Sequence, residues 1–308
     1  MTAAQRALLQ IHLCVVLWAF TAILGRLILL PAGQLVAWRL IFVVAVLALL
    51  PRAWRGARTV PAALRWRYAG IGVLVALHWL AFYGSVKLAN ASVATICLAI
   101  APVTIALLDP LLHGAPLRRG DLALGIVVIP GIALIAGGVP ASMDAGLWVG
   151  VLSAVLAAAF MTLNKRWIGD RDALGVTAIE FAAGLVVLLV MLPWLPGAKA
   201  AGPMPGGWLA VPSPRDFALL LVLATACTVL PFALSLVALR HVSAFTAQLA
   251  VNLEPIYAIG IAAIFLGESR ELGAAFYAGA GVVVAAVFLH ARAIGPAVGA
   301  AGPPYPGS

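Results

Sequence analysis

Charge is scarce in this sequence. Asp, Glu, Lys and Arg together make up 9% of its 308 residues, whereas soluble domains carry roughly 25%. Hydrophobic residues reach 64% and the mean hydropathy is +1.12. A soluble fold cannot cover so much apolar surface, so the excess faces lipid. Soluble-enzyme and nucleic-acid readings are thereby excluded, despite a formal net charge of +9. Cysteine is scarce too. Cys14, Cys97 and Cys227 each fall inside an apolar run, with no CxxC and no His–Cys cluster, so buried free thiols are expected, with neither a disulfide nor a metal site. No GxxxxGK[ST] segment occurs, so a nucleotide-driven pump would need a separate subunit. HExxH is missing, and the five histidines (His12, His78, His113, His241, His290) are scattered. An intramembrane enzyme is therefore the remote reading, and no cofactor is expected. A cleavable leader is not expected either: the run after Arg6 continues to Leu30 without a small-residue cleavage site.

What is present is a series of apolar runs. A bilayer core needs roughly 20 apolar residues per helix, which places spans near 7–29, 32–50, 68–87, 91–109, 121–139, 145–164, 173–193, 216–238, 243–266 and 272–290. With the N-terminus inside, thirteen basic residues fall in cytoplasmic segments: Arg6, Arg52, Arg55, Arg58, Arg65, Arg67, Arg118, Arg119, Lys165, Arg166, Arg171, Arg240 and Arg292. Four (Lys87, Lys199, Arg215, Arg270) fall outside. That asymmetry predicts both termini in the cytoplasm. The stretch from Pro193 to Asp216 is rich in Pro and Gly and reads as a flexible outer lid or connector, and residues 291–308 as a disordered tail.

The chain also repeats itself. A shift of 153 residues sets Pro102 on Pro255, Gly114 on Gly267 and Gly120 on Gly273. Five spans per half is an odd number, so the second half enters the membrane inverted. The expected fold is an all-α integral membrane protein of ten transmembrane helices, arranged as two inverted five-helix repeats around a central cavity. Residues 1–142 form the first repeat and 143–290 the second.

The segment "NLEPIYAIGIAAIFLGE" (252–268) shows Leu-Glu-Pro, a small-residue span and then Leu-Gly-Glu. With "LVALRHVSAFTAQLA" (236–250), "LWAFTAILGRL" (17–27) and "VAWRLIFVV" (36–44), it resembles the drug/metabolite transporter superfamily, specifically the EamA-type ten-helix exporters. Nearly the whole chain is covered. The first half departs from the pattern, with Ala115 opposite Glu268. Bacterial inner-membrane exporters of amino acids and small metabolites are most similar. The resemblance implies a cavity lined by both halves and alternating access.

Polar groups at membrane depth face a cavity or a partner. The candidates are Arg39, His78, Glu180, Asn252 and Glu254, with Thr21, Tyr83 and Gln248 as milder members. Arg39 and Glu180 occupy corresponding spans, so an ion pair between them would make a lock or gate; Arg39 also lies near enough to its span end to snorkel. In "LHWLAFYGSVK", Trp79 and Tyr83 share a helical face, and Trp18 extends an aromatic lining suited to amino-acid side chains. Packing or an interfacial belt accounts for such aromatics as well. Pro102 and Pro255 free the carbonyls of Leu98 and Val251 and mark repeat-equivalent helix breaks. Asn252 and Glu254 would point roughly 200° apart on a regular helix. Asn252, one turn from Gln248, is therefore the substrate-side candidate, and Glu254 the one that caps or pairs near the break. Proton coupling would run through Glu180 or Glu254; uncoupled export is preferred. The leading function is a secondary exporter of amino acids, aromatic or other neutral ones, or related metabolites. A proton-coupled drug or nucleotide-sugar transporter is the alternative. Expected partners are the small-molecule substrate and the bilayer, with the chain a monomer or homodimer.

Overall fold

The computed structural model describes residues 1–113, 119–197, 209–251 and 253–294, and no β-strand occurs among them. The helices run in the order α1 (Ala3–Leu27), α2 (Ala32–Ala48), α3 (Pro51–Thr59), α4 (Ala62–Leu88), α5 (Ala91–Cys97), α6 (Ala101–His113), α7 (Arg119–Gly138), α8 (Asp144–Trp167) and α9 (Ala173–Met191). After the outer connector come α10 (Pro214–Ala224), α11 (Leu230–Ala238), α12 (Ala244–Val251), α13 (Glu254–Phe265) and α14 (Ala274–Ile294). Among the described residues six helical segments are long and apolar enough to cross a membrane, and α2 joins them when taken with α3. Shorter apolar stretches at Val127–Gly138, Glu254–Phe265 and Ala274–Ala286 occupy the remaining expected spans. The chain is a helical membrane protein.

Local chemistry starts these helices. Asp172 caps α9 by accepting from the Gly175 amide at 3.0 Å. Ser213 caps α10 through the Asp216 amide at 3.1 Å, with Pro214 in the first turn, where its missing N–H costs nothing. Asn90 does the same for α5 through the Val93 amide at 2.9 Å.

The helices are interrupted near Pro102 and near Pro255. A 3₁₀ turn at Leu98–Ile100 ends α5, and the Ala101 amide takes up the Leu98 carbonyl as α6 begins with Pro102 in its first turn. The other is at Leu253, after which α13 starts with Glu254 and Pro255. A further interruption lies in span 8, where Pro231 marks a hinge in the sequence: α10 and α11 are joined by a π turn, Thr225–Val229, which precedes Pro231.

The structure adds one element and changes two expectations. Residues 51–59, between two expected spans, form the helix α3, bent 90° from α2 and carrying Arg52, Arg55 and Arg58 in exposed positions. The connector before α10 is anchored on its far side: the Trp38 indole donates to the Ala210 carbonyl at 2.6 Å, and Gln34 accepts from the Ala210 amide at 3.1 Å. Helix α14 continues through Ile294, past the expected start of the tail at 291, because the apolar helix-forming run "VFLHARAI" has no breaker before Gly295; the rest of the tail lies outside the described residues.

Packing sets α4 between α8 and α9, and pairs α7 with α14 around a second apolar cluster. The contact of α4 with α9 is backbone-close: a Cβ on Gly72 would strike the Glu180 carbonyl, as small-residue packing between membrane helices requires. Two polar belts tie the ends of the bundle. At the basic end, Tyr68 Oη donates to the Trp167 carbonyl at 2.5 Å, Lys165 to the Leu239 carbonyl at 2.6 Å, and Arg52 to Asp172 at 3.0 Å. At the opposite end, Lys87 donates to the Ile28 carbonyl at 2.5 Å. There too Glu268 and Glu271 reach across to the start of α5.

Candidate functional site

Between the two belts lies a buried cavity of about 90 Å³, room for several waters. Its wall draws on both halves of the chain: Trp18 and Thr21 from α1, Arg39 from α2, and His78, Trp79 and Phe82 from α4. From the second half come Phe160, Met161 and Asn164 of α8, Thr228 of the π turn, Phe232 and Ser235 of α11, and Glu254 of α13.

Arg39 is the fixed charge. It is 2% exposed, so it does not snorkel. Its Nε donates to Thr228 Oγ1 at 2.9 Å and its Nη1 to Tyr83 Oη at 2.9 Å. The guanidinium lies 3.6 Å from the Trp79 ring centroid and 5.6 Å from that of Tyr83. Cation–π contacts of this desolvated kind are worth about 2 kcal/mol. Trp79 and Tyr83 thus do share a face, and Arg39 is what they share it for. Tyr83 stands behind the guanidinium rather than in the lining, with its hydroxyl 3.5 Å from the Thr21 carbonyl. The π turn matters here. Its widened ladder lets Thr228 Oγ1 donate to the Leu223 carbonyl, five residues back, at 2.5 Å, while the same oxygen accepts from Arg39.

Among the described residues Arg39 has no carboxylate partner. Among the described residues the salt bridges are Arg26–Glu271 and Arg52–Asp172, at 3.9 Å and 3.0 Å, both outside the cavity. The expected Arg39–Glu180 pair is not formed. Glu180 is fully buried behind the wall, one oxygen 3.5 Å from Asn164 Nδ2 and the other without a partner. Its α9 position turns it toward α4 and α8, away from the guanidinium.

Glu254 is 3% exposed and lines the cavity. Asn252 lies outside the described residues. Gln248 falls in α12, and its side chain lies outside them as well. Pro102 and Pro255 are both buried at the starts of their helices.

His78 is tied to α8. Its Nδ1 lies 2.9 Å from both the carbonyl and the hydroxyl oxygen of Ser153. Ser153 itself is fully buried and is not part of the lining. Among the cavity residues that carried no sequence signal are Asn164, placed near a span end; Thr228, oriented by the π turn; and Phe160 and Phe232, in helices apolar on every side. These last two form an aromatic chain with Phe181 and Trp79, with centroid spacings of 6.2, 4.6 and 5.2 Å.

The cavity is thus mainly apolar and aromatic, with a few polar groups, and is built from both halves of the chain. The EamA-like transporter family matches twice, over residues 5–137 and 144–292, and the chain belongs to that family. Solved structures share the fold. One, titled only as the crystal structure of a protein, is 15% identical over 94% of this chain and 98% of its own, with a TM-score of 0.64. No curated protein matches the sequence.

Proposed function

We propose that the chain is a secondary transporter exporting amino acids, aromatic or other neutral ones, or related small metabolites across the bacterial inner membrane by alternating access. The observation that carries this reading is the pairing of Arg39 with Glu254 in one cavity without an ion pair between them. A zwitterion brings one charge for each: its carboxylate to Arg39, its ammonium to Glu254. Trp18, Trp79 and Phe232 offer the side chain an apolar wall, and Thr21 and His78 supply polar tips. Gln248 and Asn252 remain substrate-side residues on sequence grounds. The basic end is the cytoplasmic one, with both termini there. The two repeats, 1–142 and 143–290, move relative to one another about the breaks at Pro102 and Pro255, Glu180 and Asn164 holding α8 to α9. No covalent chemistry is assigned.

A second reading, proton-coupled export of a drug or another metabolite, is favoured by one observation: the Glu254 carboxyl has no hydrogen-bond or ion-pair partner among the described residues. Purified protein in liposomes loaded with unlabelled neutral amino acids is expected to accumulate the labelled amino acid by exchange. Absence of exchange for every amino acid, alongside exchange of a nucleotide sugar or a cationic drug, overturns the substrate class. Dependence of the flux on a pH gradient decides between the coupled and uncoupled forms.

A further inference from the structure

A second cavity, about 560 Å³, lies toward the basic end between α2, the α8–α9 turn and α11. One part is apolar, formed by Val46, Val229, Leu230 and Leu234. Leu230 is 49% exposed within a segment long enough to span the membrane, so this part opens sideways to hydrocarbon. Water gains nothing in such a cleft, since no polar partner awaits it. The other part is charged, with Arg52, Asp170, Asp172 and Arg240. Arg52 is taken up by Asp172. Arg240 is not fully used: one terminal nitrogen bonds to the Arg171 carbonyl, but its Nε is buried without any partner.

An occupant must therefore be apolar at one end and present an anionic acceptor at the other, at the depth where hydrocarbon meets headgroups. We propose that this groove binds one glycerophospholipid of the leaflet at the basic end, with an acyl chain along Leu230 and Leu234 and a phosphate oxygen on the Arg240 guanidinium, at the terminal nitrogen that Arg171 leaves free. A charge-assisted bond of this kind is the strong class of hydrogen bond. Exposed Arg55 and Arg58 on α3 add positive potential at the same end of the bundle.

The position of the groove gives the lipid a consequence. Thr225 and Val229 of the π turn wall the groove, while Thr228 of the same turn holds Arg39 on the other side. The turn is a shared partition. A bound lipid braces it, and so fixes the residue on which the proposed transport reading relies. Lipid binding itself does not depend on that reading.

The test uses full-length protein stripped of lipid in detergent. Native mass spectrometry with phosphatidylglycerol or phosphatidylethanolamine is expected to retain one lipid per chain. Leu234→Trp, which fills the groove, should abolish retention, and Arg240→Gln should weaken it about tenfold, the scale of one charge-assisted bond. Arg55→Gln, outside the groove, should retain the lipid. A photoreactive acyl chain on the phospholipid should label peptides containing Val46, Leu230 or Leu234 in the unmodified protein, a readout independent of whether Leu234→Trp folds. Retention by the filled groove, or labelling spread evenly over the spans, overturns the site. Equal thermal stabilisation by inorganic phosphate assigns Arg240 a free anion and overturns the lipid. Should lipid bind while amino-acid exchange is absent, the transport reading fails and the lipid site stands.

Discussion

Glu268 closes two hydrogen bonds on Ser92, taking its amide at 2.9 Å and its hydroxyl at 2.7 Å, and a third from the Ala91 amide at 3.0 Å. The acid comes from the loop between α13 and α14, the amides from the first turn of α5 in the other half of the chain. Gly267, at φ 70°, makes the left-handed turn that aims it. The repeat offers no such acid at the other end: Ala115 takes the equivalent sequence position, and α12 begins with its own Ser243, which accepts from the Thr246 amide at 2.9 Å.

Replacing Glu268 by Gln is therefore expected to destabilise the protein by about 1–3 kcal/mol, the range for weakening a buried charged acceptor. Glu271→Gln should cost less than about 1 kcal/mol, since its contacts with Asn90 and Arg26 are partly exposed. Thermal unfolding in one detergent compares the two. Equal losses would show that burial does not separate them.

Arg39 makes the second prediction. Lysine keeps the charge but loses the planar fork and the stack on Trp79, so Arg39→Lys should weaken substrate binding at least about tenfold, nearly as much as Arg39→Gln. Competition in the exchange assay measures it. Full activity of Arg39→Lys would mean that the guanidinium geometry is not used.

The two charges separate by analogue. Glu254→Gln should raise the Kd of an amino acid while leaving that of its deaminated carboxylic acid unchanged, whereas Arg39→Gln should weaken both. Titration calorimetry on the purified variants gives all four values. If Glu254→Gln weakens the acid and the amino acid alike, the ammonium does not meet Glu254.

How much of this could be read from the sequence depends on what lipid hides. Span positions were legible because a bilayer demands long apolar runs, and the breaks because proline lacks a donor. Trp18, Thr21, Arg39, His78, Trp79 and Glu254 stood out as polar or aromatic against their surroundings, and the structure brings all six to one cavity. Phe160 and Phe232 did not. In a membrane helix the outer face is as apolar as the inner one, so periodicity cannot say which phenylalanine looks inward. Thr228 was illegible for another reason: a π turn changes the direction of a side chain without leaving a composition signal.

Acid should expose the basic end first. Burial pushes the Asp172 carboxyl up, but the Gly175 amide and Arg52 more than offset it and hold its pKa below the ordinary value. A depressed carboxylate stabilises the fold above its unfolded value, about 3.9, and that contribution fades as pH falls through the folded value. Asp172→Asn should therefore lower the unfolding midpoint near neutral pH and flatten its decline below about pH 4. Parallel curves for variant and parent would remove Asp172 from the acid response.

The π turn at Thr225–Val229 amounts to one surplus residue accommodated within a helix. Its neighbours on either side keep their facing because the surplus is absorbed locally. Span 8 is thus a place where the chain tolerates a single-residue deletion without misplacing Leu220 or Phe232. What would be lost is narrower: the outward kink of one carbonyl ladder, and with it the hydroxyl that meets Arg39. Architecture and the Arg39 contact are separable at this one point: the bundle keeps its form with or without the surplus residue, while the guanidinium keeps its hydroxyl partner only with it.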